Sequence, residues 1–246
     1  MNRATIDFYF DFLSPYSYLA FLELKKMQTE FPFDLAFYPI SVPLLISKYE
    51  TKGPGEIKVK RNYLMKDLLR KTSMQKWSFC PPEKLPFNSL YALRLSLLNP
   101  EEIFSDEFRD FKSYLISVFF KAAWGQGIDI GLEENAKSLL TLAFKQYDEE
   151  HNLELSDELL EQKVQLYFDL SFQKECKLKL KNQTEAAFHQ GLFGVPSMIV
   201  QLSSQLPEKE IFWGHDSMIF LKMYLQGCDP LKDNMNVLNR FLTLNP

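Results

Sequence analysis

The sequence places one hydroxyl group where it could hold a thiolate. Residues 4–10 have the β-branched and aromatic composition of a strand, and the break after them ends in Ser14-Pro15. Serine is a favoured N-cap and proline a favoured first helical residue, so a helix is predicted to begin here. A helix N-terminus is positive, and a thiolate there would gain that field and a hydrogen bond from the hydroxyl. From position alone, a plain N-cap is the simpler interpretation.

A second group of interest is the backbone around Val195-Pro196, which follows Phe193-Gly194 and precedes a predicted strand. Proline lacks an N–H group, so it is tolerated where a strand begins at the edge of a sheet. If this peptide bond is cis, the Val195 backbone is exposed and can pair with an extended peptide. The alternative is a simple strand-entry turn.

A third group lies in Trp213-Gly214-His215-Asp216, before the last predicted helices. Asp216 could cap the helix that follows it. It could instead receive an α-ammonium group, while the N–H groups of His215 and Asp216 hold the neighbouring carboxylate. The motif therefore fits the α-amino acid end of a peptide ligand as well as it fits a helix cap.

The order of predicted elements explains how these groups could meet. Strands are predicted at 4–10, 33–40, 197–202 and 210–213, with a helix from Pro15 to about Thr29 and another over 216–226. The first three elements form a β-α-β unit, which implies a parallel strand pair. The pattern predicts an α/β fold, a thioredoxin-like core split by an all-helical insert into β-α-β and β-β-α halves. In that core the three groups converge on one edge.

The middle of the chain has only helical periodicity. Residues 41–55 are predicted to be a loop, and helices are predicted from 56, over 89–98, over 104–119, over 133–147, and over 156–190 as one helix or two. A further helical run is predicted over 230–244. We expect residues 1–42 and 190–246 to form the thioredoxin-like domain, and residues 43–189 to form a helical domain that covers a substrate pocket.

Composition and charge narrow the possible partners. The chain has 246 residues, a net charge of −4 and no tract of Lys or Arg, which argues against binding to nucleic acid. No apolar run approaches the ~18 residues of a membrane span, and Asp7 and Asp11 interrupt the N-terminal apolar residues as no signal peptide would. We expect a cytoplasmic protein that does not bind membranes.

Cysteine and histidine usage argues against redox and metal chemistry. Cys80, Cys176 and Cys228 lie far apart and form no C-x-x-C motif, which disfavours dithiol chemistry and a zinc site. The three histidines do not have the spacing of a helical metal site. We therefore predict no metal.

The motifs together resemble a known family. The segment from Ile6 to Ala20 resembles the N-terminal signature of 2-hydroxychromene-2-carboxylate isomerases and kappa-class glutathione transferases. Later parts of the chain also match that family's motifs: 193–196, 213–216, Lys60 and Tyr63 with Asp67, 86–89, and 124–130. Bacterial disulfide oxidoreductases of the DsbA type share the architecture, but they carry C-x-x-C where this chain has residues 14–17.

The resemblance implies a cofactor and a set of site residues. Glutathione would be the cofactor, and Ser14 would hold and activate its thiolate. Val195, ahead of a cis Pro196, would pair with the cysteinyl part, and His215 and Asp216 would bind the γ-glutamyl end. The resemblance also implies a homodimer.

The acceptor substrate would be an aromatic carboxylate. The family implies polar contacts to it from Lys60, Tyr63 and Asn88. The chain also departs from the family: Thr51 or a neighbour stands where an Asn is usual, and Ser217 where many members have Arg. Lys52 is a candidate replacement for a contact to the glycyl carboxylate.

The implied activity is reversible thiolate addition, which would isomerise the substrate and regenerate glutathione. A conjugating glutathione transferase begins with the same thiolate, so the sequence leaves this alternative open. A third alternative, from another class, is a non-catalytic protein that binds glutathione or peptides at the Val195 groove.

Overall fold

The computed structural model describes residues 3–203 and 208–244. The first elements are β1 (Ala4–Phe10), α1 (Pro15–Glu30) and β2 (Phe33–Pro39). Ten helices follow among the described residues. The first eight are α2 (Val42–Ser47), α3 (Lys58–Gln75), α4 (Leu90–Leu95), α5 (Pro100–Ile103), α6 (Phe111–Phe120), α7 (Glu133–His151), α8 (Asp157–Phe172) and α9 (Lys174–His189). The strands β3 (Ser197–Gln201) and β4 (Glu210–Trp213) come next, and the chain ends with α10 (Met218–Leu225) and α11 (Met235–Leu244).

The four strands of the described residues form one sheet in the order β2-β1-β3-β4. β1 pairs with β2 in parallel, with Phe8 opposite Phe37. β3 is antiparallel to both β1 and β4. The predicted order, β-α-β followed by β-β-α with helices between the halves, is therefore confirmed. Part of the predicted hairpin connection, residues 203–209, lies outside the described residues.

The alternation of side chains along β1 builds a core on each face of the sheet. Ile6, Phe8 and Phe10 are buried in the larger cluster, which joins α1 to most of the helical segment. Tyr9 points to the opposite face, into a smaller cluster with Leu45 of α2 and other residues of the α9 side. Burial of large aromatic side chains is a major stabilising term, so the sheet and the helices are stabilised together.

Three sets of polar contacts fix the helical segment to the loop between β1 and α1 and to the first turns of α1. The indole Nε1 of Trp124 donates to the backbone oxygen of Phe12 at 2.7 Å. The Tyr18 hydroxyl donates to the backbone oxygen of Ser78 at 3.0 Å. The fully buried carboxylate of Asp11 accepts from the N–H groups of Leu13 and Val42, at 3.0 and 2.8 Å. This loop is therefore held from several sides.

Several predicted element boundaries were wrong. Residues 41–55 are not all loop, because α2 forms with Ser41 at its N-cap and Pro43 in its first turn. The helix predicted over 104–119 is broken: a 3₁₀ turn spans Asp106–Phe108, and α6 begins only at Phe111. The spacing of Phe104 and Phe108 reflects shared burial against α7 and α8 instead of one continuous helix.

The ends of the long helical segment and of the chain also differ in detail. The run over 156–190 is two helices, because Gln173 is extended at φ −62° and ψ 153° and separates α8 from α9. The helix predicted over 216–226 starts at Met218, after a 3₁₀ turn at His215–Ser217. The run over 230–244 is a 3₁₀ turn followed by α11. The division into two domains at residues 42–43 and 189–190 stays a prediction.

No helix of the described residues is long and apolar enough to cross a membrane. Within the same residues, no cluster of three or more His, Cys, Asp or Glu side chains has a geometry that could hold a metal ion.

Candidate functional site

Ser14 is the N-cap of α1. Its Oγ accepts a hydrogen bond from the N–H of Ser17 at 3.2 Å, and Pro15 occupies the first helical position. Ser14 is extended, at φ −92° and ψ 113°, and its side chain is only partly buried. A hydroxyl has one proton to donate and two lone pairs. The cap uses a lone pair, and among the described residues the proton of the Ser14 hydroxyl has no acceptor.

Tyr16, the second residue of α1, connects the start of this helix to the helical segment. Its hydroxyl donates to Oδ2 of Asp67 on α3 at 2.7 Å. Burial and this hydrogen bond raise the pKa of Tyr16 well above its usual range, with smaller contributions from Asp216 and Tyr63. The Tyr16 phenol therefore stays protonated and acts as a fixed donor to Asp67.

Lys71 joins α3 to the other end of the chain. Its Nζ lies 2.7 Å from Oδ2 of Asp67 and 2.6 Å from Oδ1 of Asp216, and it lies over the Tyr16 ring at 5.1 Å. Burial lowers the pKa of Lys71, but the hydrogen bonds to Asp216 and Asp67 outweigh it and raise that pKa overall. Burial likewise raises the pKa of Asp67, and the hydrogen bonds from Lys71 and Tyr16 reverse this. Tyr16, Asp67, Lys71 and Asp216 therefore form one network in which the charge of Lys71 is paired with two carboxylates.

Asp216 does not cap α10, the helix that follows it, contrary to one of its two predicted roles. It lies inside the 3₁₀ turn that precedes α10, and its carboxylate binds Lys71 instead. The Asp216 side chain remains 85% exposed, so a second cation can reach it. The same turn contacts α1. Through Lys71 and Tyr16, the structure therefore connects Asp216 to the N-terminal end of α1, where Ser14 lies.

His215 is electrically neutral near neutral pH. Burial, and then the charge of Lys71, lower its pKa, and the nearby Asp216 and Asp67 oppose this only in part. Its ring meets Trp77 edge-on at 6.3 Å, and its Nδ1 is buried without a hydrogen-bond partner among the described residues. The backbone N–H groups of His215 and Asp216 open the turn, where N–H groups have no partner within the helix.

The loop before β3 contains the cis peptide bond Val195–Pro196. The N–H of Gly214 donates to the backbone oxygen of Pro196 at 2.8 Å, so this loop is attached to the turn that carries His215 and Asp216. Within residues 3–203 and 208–244, neither the N–H nor the C=O of Val195 is paired. Val195 therefore offers a free backbone donor and acceptor.

Trp213 covers Gly194 from β4. A Cβ added at Gly194 would lie 2.7 Å from the indole Nε1, so no larger residue fits there without a shift. Phe193 packs on Trp213 with ring centroids 4.9 Å apart, and both side chains are about half exposed. These rings form an apolar wall beside Val195.

Lys60 and Tyr63 are exposed on α3. Together with Asp67 and Lys71 they recur at three- and four-residue spacing, which places them on one face of the helix. Lys60 and Tyr63 are on the N-terminal part of that face, and Asp67 and Lys71 follow them toward the C-terminus of α3. The two predicted substrate contacts therefore share a helix face with the residues that contact Tyr16.

Asn88 is exposed, and its Oδ1 accepts from the N–H of Leu90 at 3.0 Å. The next residue, Ser89, hydrogen bonds to the buried Asp11. The Asn88 segment therefore adjoins the loop that leads to Ser14, although the side chain is engaged in a local turn. Thr51 and Lys52 are exposed before α3, and nearby Tyr49 donates to the backbone oxygen of Leu192 at 3.1 Å, which places their segment beside the Val195 loop.

Sequence reasoning missed the roles of Lys71 and Tyr16. The opposite charges of Asp67 and Lys71, four residues apart on a predicted helix, are a local signal for a pair. The contact with Asp216 joins residues that are 145 positions apart, and no local pattern indicates it.

The fold and this edge define a class of protein. A family model for the DSBA-like thioredoxin domain matches residues 5–226, so the chain belongs to that family. The chain is 29% identical over 224 residues to a 2-hydroxychromene-2-carboxylate isomerase of Pseudomonas sp. (strain C18), with 90% of each covered. It is 26% identical to glutathione S-transferase kappa 2 of Caenorhabditis elegans, covering 80% of this chain and 81% of that protein.

A solved structure of a 2-hydroxychromene-2-carboxylate isomerase superposes with a TM-score of 0.69 at 24% identity, covering 94% of this chain and 98% of that chain. The structural match supports the thioredoxin-like fold class. The family model and the sequence relatives confirm the predicted family resemblance and the predicted class of enzyme.

Proposed function

We propose that this protein is a glutathione-dependent cis-trans isomerase of the 2-hydroxychromene-2-carboxylate isomerase type. Relatives with that name cover most of the chain, and a kappa glutathione transferase is also similar. The observation that carries the proposal is the Ser14 hydroxyl, which caps α1 through a lone pair and keeps its proton available. A donor at a positive helix end is what stabilises a bound thiolate.

The residues present fit the other parts of glutathione. The unpaired backbone of Val195 would bind the cysteinyl residue as a short strand does. The exposed carboxylate of Asp216 would receive the γ-glutamyl ammonium, and the N–H groups of His215 and Asp216 would receive its carboxylate. For the glycyl carboxylate, Lys52 is the proposed partner.

Glutathione would supply a thiolate that adds reversibly to the conjugated alkene of the substrate, so that a rotatable single bond replaces the double bond. Ser14 would donate its proton as a hydrogen bond to the sulfur and keep it charged near neutral pH. The chain's own contribution is then orientation and charge stabilisation, since the nucleophile belongs to the cofactor.

We propose that the helical segment covers the acceptor substrate, an aromatic carboxylate. Lys60 and Tyr63, on the α3 face that continues from Lys71, would bind the carboxylate and a ring oxygen. Asn88 would contribute once its bond to Leu90 opens. The homodimer implied by the resemblance and the cytoplasmic location expected from the sequence belong to the same proposal, and light scattering tests the first.

The test is Ser14→Ala. Isomerisation at neutral pH should fall about 100-fold, as it does when one donor to a developing anion is removed. The rate should recover in part as the pH rises through the ordinary thiol pKa of about 8.5, because free thiolate then forms without help. Initial rates across a pH series, at saturating glutathione, measure both effects.

Ser156→Ala is a matched control, because Ser156 caps α8 through the same Oγ contact to Leu159 N–H at 3.2 Å. Both variants lose about 1 kcal/mol of stability with the cap, but only Ser14→Ala should lose activity. Ser14→Asp keeps a capping acceptor and lacks the donor, so it should be folded and slow. An unchanged neutral rate in Ser14→Ala would remove Ser14 from the mechanism.

A conjugating transferase is the second candidate, supported by the similarity to the kappa enzyme. A product assay separates the two: isomer formed with glutathione conserved, or conjugate formed with glutathione consumed. Calorimetry that shows peptide binding without glutathione binding would favour the non-catalytic alternative.

A further inference from the structure

A cavity of about 440 Å³ lies along β2, at the end of the described sheet that is remote from β4. It is bounded by β2, which is an edge strand of the described sheet, by the second half of α1, by the start of α6 and by α9. Lys25, which lines it, lies eleven residues along α1 from Ser14, or about 16 Å at the rise of an α-helix. The cavity is therefore separate from the candidate glutathione site.

Three lysines from three different helices converge on this cavity. Nζ of Lys112 donates to Oδ1 of Asn99 at 2.6 Å. Nζ of Lys179 donates to the backbone oxygen of Leu97 at 2.9 Å, and Nζ of Lys25 donates to the Ser113 hydroxyl at 3.3 Å. Every one of these acceptors is neutral.

None of the three ammonium groups has a carboxylate within ion-pair distance in the part of the chain that the structure describes. Lys112 is the inner one and is partly buried, whereas Lys25 and Lys179 lie at the exposed rim. Burial, and then the charge of Lys179, lower the pKa of Lys112. Glu101 and Glu102 oppose this only in part, and neither forms an ion pair with Lys112, although cations removed from water are normally paired.

The remaining lining is polar and can hydrogen bond to an anion with several oxygens. The amide of Gln183 donates to the backbone oxygen of Pro39 at 2.7 Å, which fixes it at the β2 edge. Arg109 also lines the cavity and is paired with Asp106, while Asp110 and Glu101 contribute negative charge. With the paired Arg109 left out, the lining has three lysines and two carboxylates, around a volume in the range of small-molecule sites.

We propose that this cavity binds a small multivalent anion, either a polycarboxylate or a phosphate. Lys112 would bind its oxygens from inside, and Lys25 and Lys179 would bind them from the rim. This proposal does not depend on the proposed isomerase function, since no residue of the Ser14 edge lines the cavity.

The experiment is calorimetry and thermal unfolding of the full chain with citrate and with inorganic phosphate, at constant ionic strength. Saturable binding of at least one of them is expected, with a rise in Tm that follows the ligand concentration. Lys112→Met should weaken that binding roughly tenfold or more, since a charged hydrogen-bond donor is lost. Lys145→Met, which removes an exposed lysine of α7, should bind as the natural chain does.

Lys179→Met changes only the exposed rim and keeps the test valid if Lys112→Met folds poorly; it should weaken binding severalfold. Ser14→Ala should bind the anion normally, which separates this proposal from the isomerase function. Tighter binding of citrate than of phosphate assigns carboxylates as the ligand groups, and the reverse order assigns phosphate. Neither anion binding saturably, or equal affinities in Lys179→Met and Lys145→Met, would overturn the proposal.

Discussion

Two lysines of the helical segment reach the thioredoxin-like core at opposite ends of α1, and their surroundings differ. Lys71 lies between two carboxylates, those of Asp67 and Asp216, at 2.7 and 2.6 Å. Among the described residues, Lys112 has the neutral amide oxygen of Asn99 at 2.6 Å and no carboxylate within ion-pair distance. The pKa of Lys71 is raised because its partners outweigh burial, whereas burial and Lys179 lower the pKa of Lys112.

The difference teaches what each cation can do. A paired lysine stabilises the contact between two parts of the chain, and its charge is largely used within the protein. An unpaired lysine in a cavity destabilises the empty protein and favours a ligand that supplies the missing charge. Lys71 is therefore expected to act in stability, and Lys112 in binding.

The largest expected effect at the Lys71 end is on glutathione. In Asp216→Asn, the proposed contact to the γ-glutamyl ammonium loses its charge, so the KM for glutathione should rise roughly 10- to 100-fold. The kcat at saturating glutathione should change little, because Ser14 is untouched. Steady-state kinetics with glutathione as the varied component measure both.

Asp106→Asn is the matched control, since Asp106 is an exposed aspartate in an ion pair with Arg109 at 3.3 Å. Its KM for glutathione should equal that of the natural chain. If Asp216→Asn and Asp106→Asn gave the same KM, Asp216 would serve only as a partner of Lys71.

The next effect is on stability. Lys71→Met leaves Asp67 partly buried without its cation, and we expect a loss of about 1–2 kcal/mol, between the values for exposed and buried pairs. Because the folded pKa of Asp67 is lowered, its contribution to stability is present above the unfolded pKa and disappears as the pH falls through the folded pKa. The cost of Lys71→Met should therefore shrink in acid.

Chemical denaturation at neutral and acidic pH measures this difference. Lys48→Met serves as the comparison variant, because Lys48 has one carboxylate partner, Glu185 at 3.4 Å, and also lies over an aromatic ring. Its cost should be smaller than that of Lys71→Met. A larger loss of stability in Lys48→Met than in Lys71→Met would mean that the Lys71 network is not a principal contact between α3 and the turn that carries Asp216.

Both lysine environments show where sequence reasoning stops. The start of α1 could be predicted at the correct residue, because Ser14 and Pro15 are local signals and act through neighbouring backbone groups. The alternation of Ile6, Phe8 and Phe10 likewise reports the buried face of β1. The convergence of Lys112 and Lys179 leaves no such signal, since each lies on its own helix with an ordinary polar pattern.

The candidate site shows the same division between local signals, which the sequence carries, and tertiary contacts, which it does not. The three candidate groups at Ser14, Val195 and Asp216 were predicted from local chemistry, and their common edge was predicted from the order of elements. The broken helix over 104–119 was missed because periodic apolar spacing counts burial and does not see the 3₁₀ turn at 106–108. The contact of Lys71 with Asp216 depends on tertiary packing alone.

The smallest expected effect is at the other end of the comparison. Lys112→Met replaces a partly buried ammonium with an apolar side chain of similar length, so without added anion the stability should stay equal or rise by up to about 1 kcal/mol. The neighbouring charges act on Lys112 in opposite directions: Lys179 from α9 disfavours the charged amine of Lys112, and Glu101 and Glu102 favour it. Because the pKa of Lys112 is lowered in the folded chain, the charged amine destabilises the folded state. This destabilisation is complete at any pH where the amine is charged in both the folded and the unfolded chain.

That penalty disappears as the pH rises from the folded pKa to the unfolded value near 10.4, because the folded chain releases the proton first. The natural chain should therefore gain stability relative to Lys112→Met over that interval, which is the opposite end of the pH scale from the Lys71 effect. Denaturation curves of both chains at neutral and alkaline pH measure the gain. A loss of several kcal/mol in Lys112→Met at neutral pH would instead make Lys112 a structural residue like Lys71, and the contrast between the two lysines would no longer hold.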